Sequence, residues 1–220
     1  MTESGVMPTA DLTCWTMIRE AAAGDPAARD RFARVYQPIV AAYLAARWHR
    51  RDADDAVQDV FVECFRDRGA LASADPTRGF RAFLLGVVRN VARRHEATRK
   101  SPAALPPGLP ADDTGPAQAF DRAWARALMR EAAHAQEEAA TTEPAVRRVQ
   151  LLRMRFQDGL PIRDIATRWK VDAARLHHEY ATARQEFRLA LRKVVAFHNP
   201  AASAADVERE CLDLLAALGN

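Results

Sequence analysis

Glycine is scarce in this chain, nine of 220 residues, and nowhere do apolar and polar residues alternate in the period-two manner of a half-buried strand. Alanine, arginine and leucine dominate instead. The missing strand signals leave helices, so the expected fold class is all-α. Long apolar runs are missing as well. No stretch approaches the ~18 apolar residues that mark a membrane span, and the N-terminus lacks a basic segment followed by an apolar core. A soluble, unprocessed, cytoplasmic protein without membrane insertion is the expectation. Cysteine is sparse too: Cys14, Cys64 and Cys211 are odd in number and far apart. That spacing excludes a disulfide framework and the usual metal and redox motifs, and fits a reducing compartment.

The signatures of catalysis are also wanting. The sequence has no nucleophile paired with a base, no glycine-rich phosphate loop and no specific carboxylate pair, which predicts a protein that is not an enzyme and has no cofactor. The adjacent His177 and His178 would point about 100° apart on a helix, with no third ligand at i+4, so no metal site is expected.

What is present is a succession of helix signals. Asp11 opens a first helix, Asp25 followed by Pro26 a second, and Asp52 a third. From Ser101 to Pro116 five prolines and two glycines fall within 16 residues, a composition that favours an extended linker over a helix. The expected organisation is therefore a domain over 11–100, a linker over 101–116, a second helical module over 117–195 and an extension over 196–220. Within the second module, helical patterns run over 117–139, 144–157 and 161–195. In the extension, His198-Asn199-Pro200 breaks the preceding helix. Ser203 is placed to cap a last one with Val207, Cys211, Leu214, Leu215 and Leu218 on one face, expected to pack internally.

Two stretches carry candidate functional surfaces. On a helix over 78–94, Phe80, Phe83, Leu84, Val87, Val88 and Val91 share one side while Arg78, Arg81, Arg89 and Arg93 gather on the other, with Asn90 beside them. Guanidinium groups so aligned suit a phosphate backbone, because each neutralised phosphate releases counterions; a solvated basic face is the plainer alternative. The helix before it, Asp52 to Asp67, buries Ala56, Val57, Val60, Phe61, Cys64 and Phe65 and turns Asp55, Gln58, Asp59 and Glu63 outward. Its early carboxylates complement a helix N-terminus, and its acidic face is suited to orienting a protein partner.

The other stretch lies in the second module. Between Val146 and Val195 twelve Lys and Arg stand against five Asp and Glu, although the whole chain carries only +3. Residues 160–191 have helix-turn-helix spacing, with a turn at Trp169-Lys170-Val171, Val171 as the inward plug and Asp172 as the cap of the second helix. A basic module of this kind fits nucleic acid.

The order of these parts, DADDAVQDVFVECFR, then GFRAFLLGVVRNVARRH, then a proline-rich linker and a helix-turn-helix, resembles an extracytoplasmic-function (ECF) sigma factor of the sigma-70 family. The resemblance spans roughly residues 11–195 and is strongest from Asp52 to His95, which looks like region 2. It implies that Asp55, Gln58, Asp59 and Glu63 dock on the clamp helices of the largest subunit of core RNA polymerase. It also implies that Arg78, Arg81, Arg89, Asn90, Arg93 and Arg94 serve in opening the minus-10 element of promoter DNA. Phe83 stands where tryptophan is common in that family. The linker, through Asp112 and Asp113, would mimic RNA near the polymerase active centre. The C-terminal module looks like region 4, whose second helix would place Arg175, His177, His178, Thr182 and Arg184 at the minus-35 element and leave the polymerase flap as a further contact. There the pattern departs from the family, and Glu179 would repel phosphates. An anti-sigma factor is a further partner that the resemblance suggests. Two other readings stay open on the residues alone: a stand-alone helix-turn-helix regulator, and a helical adaptor that binds only protein.

Overall fold

The computed structural model describes residues 14–48, 50–99 and 113–219, and among these every regular element is a helix. In chain order they are α1 (Cys14–Ala23), α2 (Pro26–Arg47), α3 (Arg50–Phe65), α4 (Phe80–Arg99), α5 (Thr114–Ala139), α6 (Glu143–Phe156), α7 (Ile162–Trp169), α8 (Ala173–His198) and α9 (Ala204–Gly219). Two short 3₁₀ turns, Ala70–Ser73 and Pro76–Arg78, lie between α3 and α4. The all-α reading is correct. Contacts divide the chain into two compact units, one made of residues up to Ala127 and from Ala196 on, the other of Leu128–Val195. The boundaries thus fall inside α5 and near the end of α8.

Local chemistry explains most helix ends. Asp25 caps α2 by accepting the Ala28 N–H at 2.6 Å, with Pro26 entering the first turn as the sequence predicts. α3 starts two residues before Asp52, which therefore lies in its first turn and complements the helix dipole instead of capping. The expected cap at Asp11 lies outside the described residues. α5 begins at Thr114, so the last three residues of the expected linker are helical. Pro116 is tolerated there because a first-turn residue has no intrahelical partner for its N–H. Residues 101–112, including Asp112, lie outside the described residues.

In the first unit, α2 packs against α1, α3 and α4, and its aromatic residues set the core. The Phe32 ring meets Tyr36, Phe61, Phe65 and Phe80, and Tyr36 also stacks on Trp124 from α5. Phe80, Leu84, Val87, Val88 and Val91 of α4 are buried while Phe83 is half-buried. This is the apolar face read from the sequence, its 3.6-residue period matching one side packed on α2 and α3. α3 likewise buries Ala56, Val57, Val60 and Cys64, with Phe61 and Phe65 half-buried.

α9 belongs to this unit. Ser203 and Asp206 form a reciprocal cap: the Ser203 hydroxyl accepts the Asp206 N–H at 3.2 Å while the Asp206 carboxylate accepts the Ser203 N–H at 3.3 Å. Val207, Cys211 and Leu214 are buried, but Leu215 is exposed, one position past the width of the contacting stripe.

The second unit has an aliphatic core of Leu151, Met154, Ile162, Ile165, Ala166 and Leu176, against which Leu160, Trp169, Val171 and Tyr180 pack. Lys170 takes the left-handed conformation at the end of α7, φ 54°, and turns the chain into α8. The Asp172 carboxylate accepts the Arg175 N–H at 2.8 Å. Plug, turn and cap thus stand where the sequence places them. Among the described residues no helix is long and apolar enough to cross a membrane.

Candidate polymerase and nucleic-acid interface

α3 and α4 pack side by side in the first unit, so their polar faces adjoin. On α3, Asp54, Asp55 and Gln58 are exposed. Asp59 and Glu63 reach across to α4: the Asp59 carboxylate lies 2.6 Å from His95 Nε2, and Glu63 accepts from Arg94 at 2.9 Å and from Arg66 at 2.7 Å. The bond from Arg94 holds the Glu63 carboxyl below its ordinary range. Asp55 and Gln58 are thus free of α4, whereas Asp59 and Glu63 bind the two helices together as well as facing outward. Beside Gln58, an apolar groove of about 530 Å³ runs between α2 and α3, lined by Gln37, Val57, Gln58, Phe61, Val62, Phe65 and Arg66. Val62 is largely exposed there.

The six residues expected at the minus-10 element fall into two groups. Arg78 and Arg93 are exposed, Arg78 at the end of the 3₁₀ turn that Asp75 caps through the Thr77 N–H at 2.9 Å and itself 4.0 Å from the Asp75 carboxylate, and Arg93 donating to the Asn90 side-chain oxygen. Asn90 is itself exposed. The other three arginines end on carboxylates of the same unit. Arg81 donates to Asp121 of α5, Arg89 to Asp113 at 2.7 Å, and Arg94 to Glu63. A groove of about 480 Å³ opens between the α4 residues Val87, Asn90, Arg93, Arg94 and Ala97 and the opposing Glu63 and Ala70. Its lining combines an amide, two guanidinium groups and apolar flanks, the chemistry that holds a planar polar ring against a charged strand.

Asp113 is the residue whose role the sequence reading missed. It accepts hydrogen bonds from Tyr43, Arg47 and Arg89, which anchors the start of α5 on α2 and α4. Arg47 is only 10% exposed and also donates to both oxygens of Glu96, at 2.6 and 3.1 Å. Burial and the bond to Asp113 push the Tyr43 phenol up to about 12, so it stays a neutral donor. No local pattern announces this cluster, because Asp113 lies 24 to 70 residues from the side chains that donate to it. Asp121, the partner of Arg81, escaped for the same reason.

In the second unit, His177, His178, Thr182 and Arg184 are all exposed on α8. The guanidinium of Arg184 lies 5.7 Å from the Tyr180 ring centre, and the Thr182 hydroxyl donates to the His178 carbonyl at 3.2 Å. Arg175 is exposed at the helix start, 3.5 Å from Glu179. Glu179 is also 3.6 Å from Arg147, whose guanidinium rests over Trp169 at 4.9 Å. The lone acid in the expected reading face is therefore flanked by two cations, which reduces the repulsion expected of it. Arg148 holds Glu186 through both oxygens, at 2.6 to 3.0 Å, farther along α8.

Comparison with known proteins adds one family. The model of sigma-70 region 2 matches residues 32–101, the span that holds most of α2, all of α3 and α4 and the turns between them. A search of curated proteins finds no match to the chain. The match falls on the segment whose α3 and α4 present the adjoining acidic and basic faces. Over residues 32–101, about a third of the chain, the protein thus carries a sigma-70 region 2, the region of a family of transcription-initiation factors that work with core RNA polymerase on promoter DNA.

Proposed function

We propose that this protein is an ECF-type sigma factor, in which the first unit serves as region 2 and the helix-turn-helix of the second as region 4. The observation that carries this reading is the arrangement on α3, α4 and the turn before α4, where an exposed acidic and amide face, Asp55 and Gln58, adjoins an exposed basic and amide face, Arg78, Asn90 and Arg93. In the reading, Asp55, Gln58, Asp59 and Glu63, with the apolar groove beside them, dock on the clamp helices of core polymerase. Arg78, Asn90, Arg93 and Arg94 contact the separated minus-10 strand, and the groove between α4 and Glu63 accepts an unstacked base. Arg81 and Arg89 lie at the edges of this surface and join it when their carboxylate partners yield. The polymerase supplies the chemistry of RNA synthesis.

Arg175, His177, His178, Thr182 and Arg184 form the corresponding minus-35 surface on α8, with the polymerase flap adjoining it. A helix N-terminus with exposed side chains at successive turns fits a major groove. The chain passes from the first unit to the second within α5, and residues 196–220 are an extension. An anti-sigma factor that covers either surface would provide control, and the cytoplasm is the expected compartment.

Run-off transcription with sigma-free core polymerase, the purified chain and a library of upstream sequences tests the proposal. Promoter-specific transcripts are expected, lost when Asn90 and Arg93 are replaced by alanine. Absence of binding to core polymerase would refute the sigma reading and leave a stand-alone DNA-binding regulator.

A further inference from the structure

The C-terminal extension bears on the surface just described. The turn before α9 sets Asn199 against Gly79 at the foot of α4, where an added Cβ would stand 3.6 Å from the Asn199 side chain. Gly79 has φ 71°, a left-handed conformation that accounts for glycine there. His198 meets the Trp124 ring edge-on at 5.5 Å. Between α9 and the start of α4 runs a groove of about 360 Å³, to which α4 and the turn before it contribute Arg78 and Arg81 and α9 contributes Asp206, Glu210 and Asp213.

Those three acids stand at i, i+4 and i+7, the spacing that lines side chains along one helix face. α9 holds four acids in all, with Arg209 as its single base. Glu210 faces Arg81, Asn199, His198 and Asp213, and burial raises its carboxyl above the ordinary range. A carboxylate row beside arginines, with Glu210 half-buried between the exposed Asp206 and Asp213, is an electrostatic arrangement, not what apolar packing alone requires; Val207, Cys211 and Leu214 already supply the packing. DNA phosphates would seek the same guanidinium groups.

We propose that α9 is an intramolecular competitor for the nucleic-acid surface: its carboxylates stand in for phosphates beside Arg78 and Arg81, and single-stranded DNA displaces that interaction to reach them. This rests on the reading of Arg78 and Arg81 as DNA contacts. The sequence-specific part of the surface, Asn90 and Arg93 farther along α4, lies outside the groove and stays open. The tail therefore weakens sequence-independent binding more than promoter choice.

The test is fluorescence anisotropy of a labelled single-stranded DNA of about 20 nucleotides, titrated with the full chain at low salt. Glu210→Gln with Asp213→Asn leaves the apolar seat of α9 intact and is expected to tighten binding about fourfold, roughly twofold per surface charge. The gain should shrink as salt rises. Asp213→Lys, at an exposed position, should act in the same direction and guards against a folding defect at the half-buried Glu210. Both gains should vanish when Arg78 and Arg81 are alanine. Unchanged affinity in both tail variants, with Arg78→Ala/Arg81→Ala still weakening binding, overturns the competitor role and leaves the DNA reading standing. A gain that survives loss of the two arginines also overturns it. Should the arginine variant bind as tightly as the parent chain, both the competitor role and the DNA reading fall together.

Discussion

Arg81, Arg89 and Arg94 in the first unit each end on a carboxylate from another element, whereas His177, His178 and Arg184 of α8 in the second unit project into solvent. In the sequence the two helices look alike, each a basic stripe opposite an apolar one. The difference is tertiary. α4 is flanked by α3, the start of α5 and α9, all of which bring acids, so only part of its positive charge faces outward. The cores differ in the same sense. The first unit is built on interlocking aromatic rings around Phe32, the second on aliphatic side chains around Ile165.

The largest effects should come from those cores. Phe32→Ala removes a fully buried ring with four ring neighbours and should cost about 3–5 kcal/mol, while Ile165→Ala, equally buried but among aliphatic chains, should cost about 2–4 kcal/mol; chemical denaturation followed by circular dichroism measures both. A smaller loss for Phe32 than for Ile165 would remove the contrast between the cores. Next in size is Arg47→Ala, which leaves Glu96 and Asp113 without their shared cation and should cost about 2–3 kcal/mol. Its effect should appear as lost protection of the first turns of α5 in hydrogen exchange.

On the surface, Arg93→Ala should weaken DNA binding by about 1 kcal/mol and lower the salt slope by about one. Arg89→Ala should do less to binding and more to stability, since its charge is already engaged by Asp113. Equal losses for the two would erase the distinction between open and engaged arginines. In the second unit, Asp172→Ala should destabilise α8 by about 1 kcal/mol through loss of its cap.

The smallest expected effect is at Glu63. Its carboxyl is held below the ordinary range by Arg94, so its contribution is present above the unfolded-state value and is lost as pH falls through the lower folded value. Glu63→Gln should therefore lower the melting temperature slightly near neutrality, an effect of under about 1 kcal/mol, and leave it unchanged once the pH is below the folded value. A difference that persisted in acid would point to packing instead of charge.

How much of this was legible in advance follows the range of the interactions. The cap at Asp25, the plug Val171, the cap Asp172 and the apolar face of α4 depend on residues within one or two helical turns, and all were readable. The start of α3 was misplaced by two residues, and the linker was drawn three residues too long at Pro116. In both places the local signal, an acid or a proline, is as compatible with the first turn as with the position before it. Leu215 was assigned to the buried face of α9 because periodicity gives a direction but not the width of the contact.

Periodicity and charge count thus determined by themselves that the described residues are helical, which faces are apolar, where the turn between α7 and α8 lies and which cations were candidates for nucleic acid. These are properties of hydrophobic period and local hydrogen bonding, fixed within a dozen residues. Only the tertiary structure decided which of those cations remain open, because the acids that engage Arg81, Arg89 and Arg94 come from elements 24 to 40 residues away. It alone brought Asp113 onto Tyr43, Arg47 and Arg89 as an anchor of α5. It also seated an acidic last helix beside Arg81. Electrostatic pairing depends on distance in space, and helix packing, not sequence separation, sets that distance.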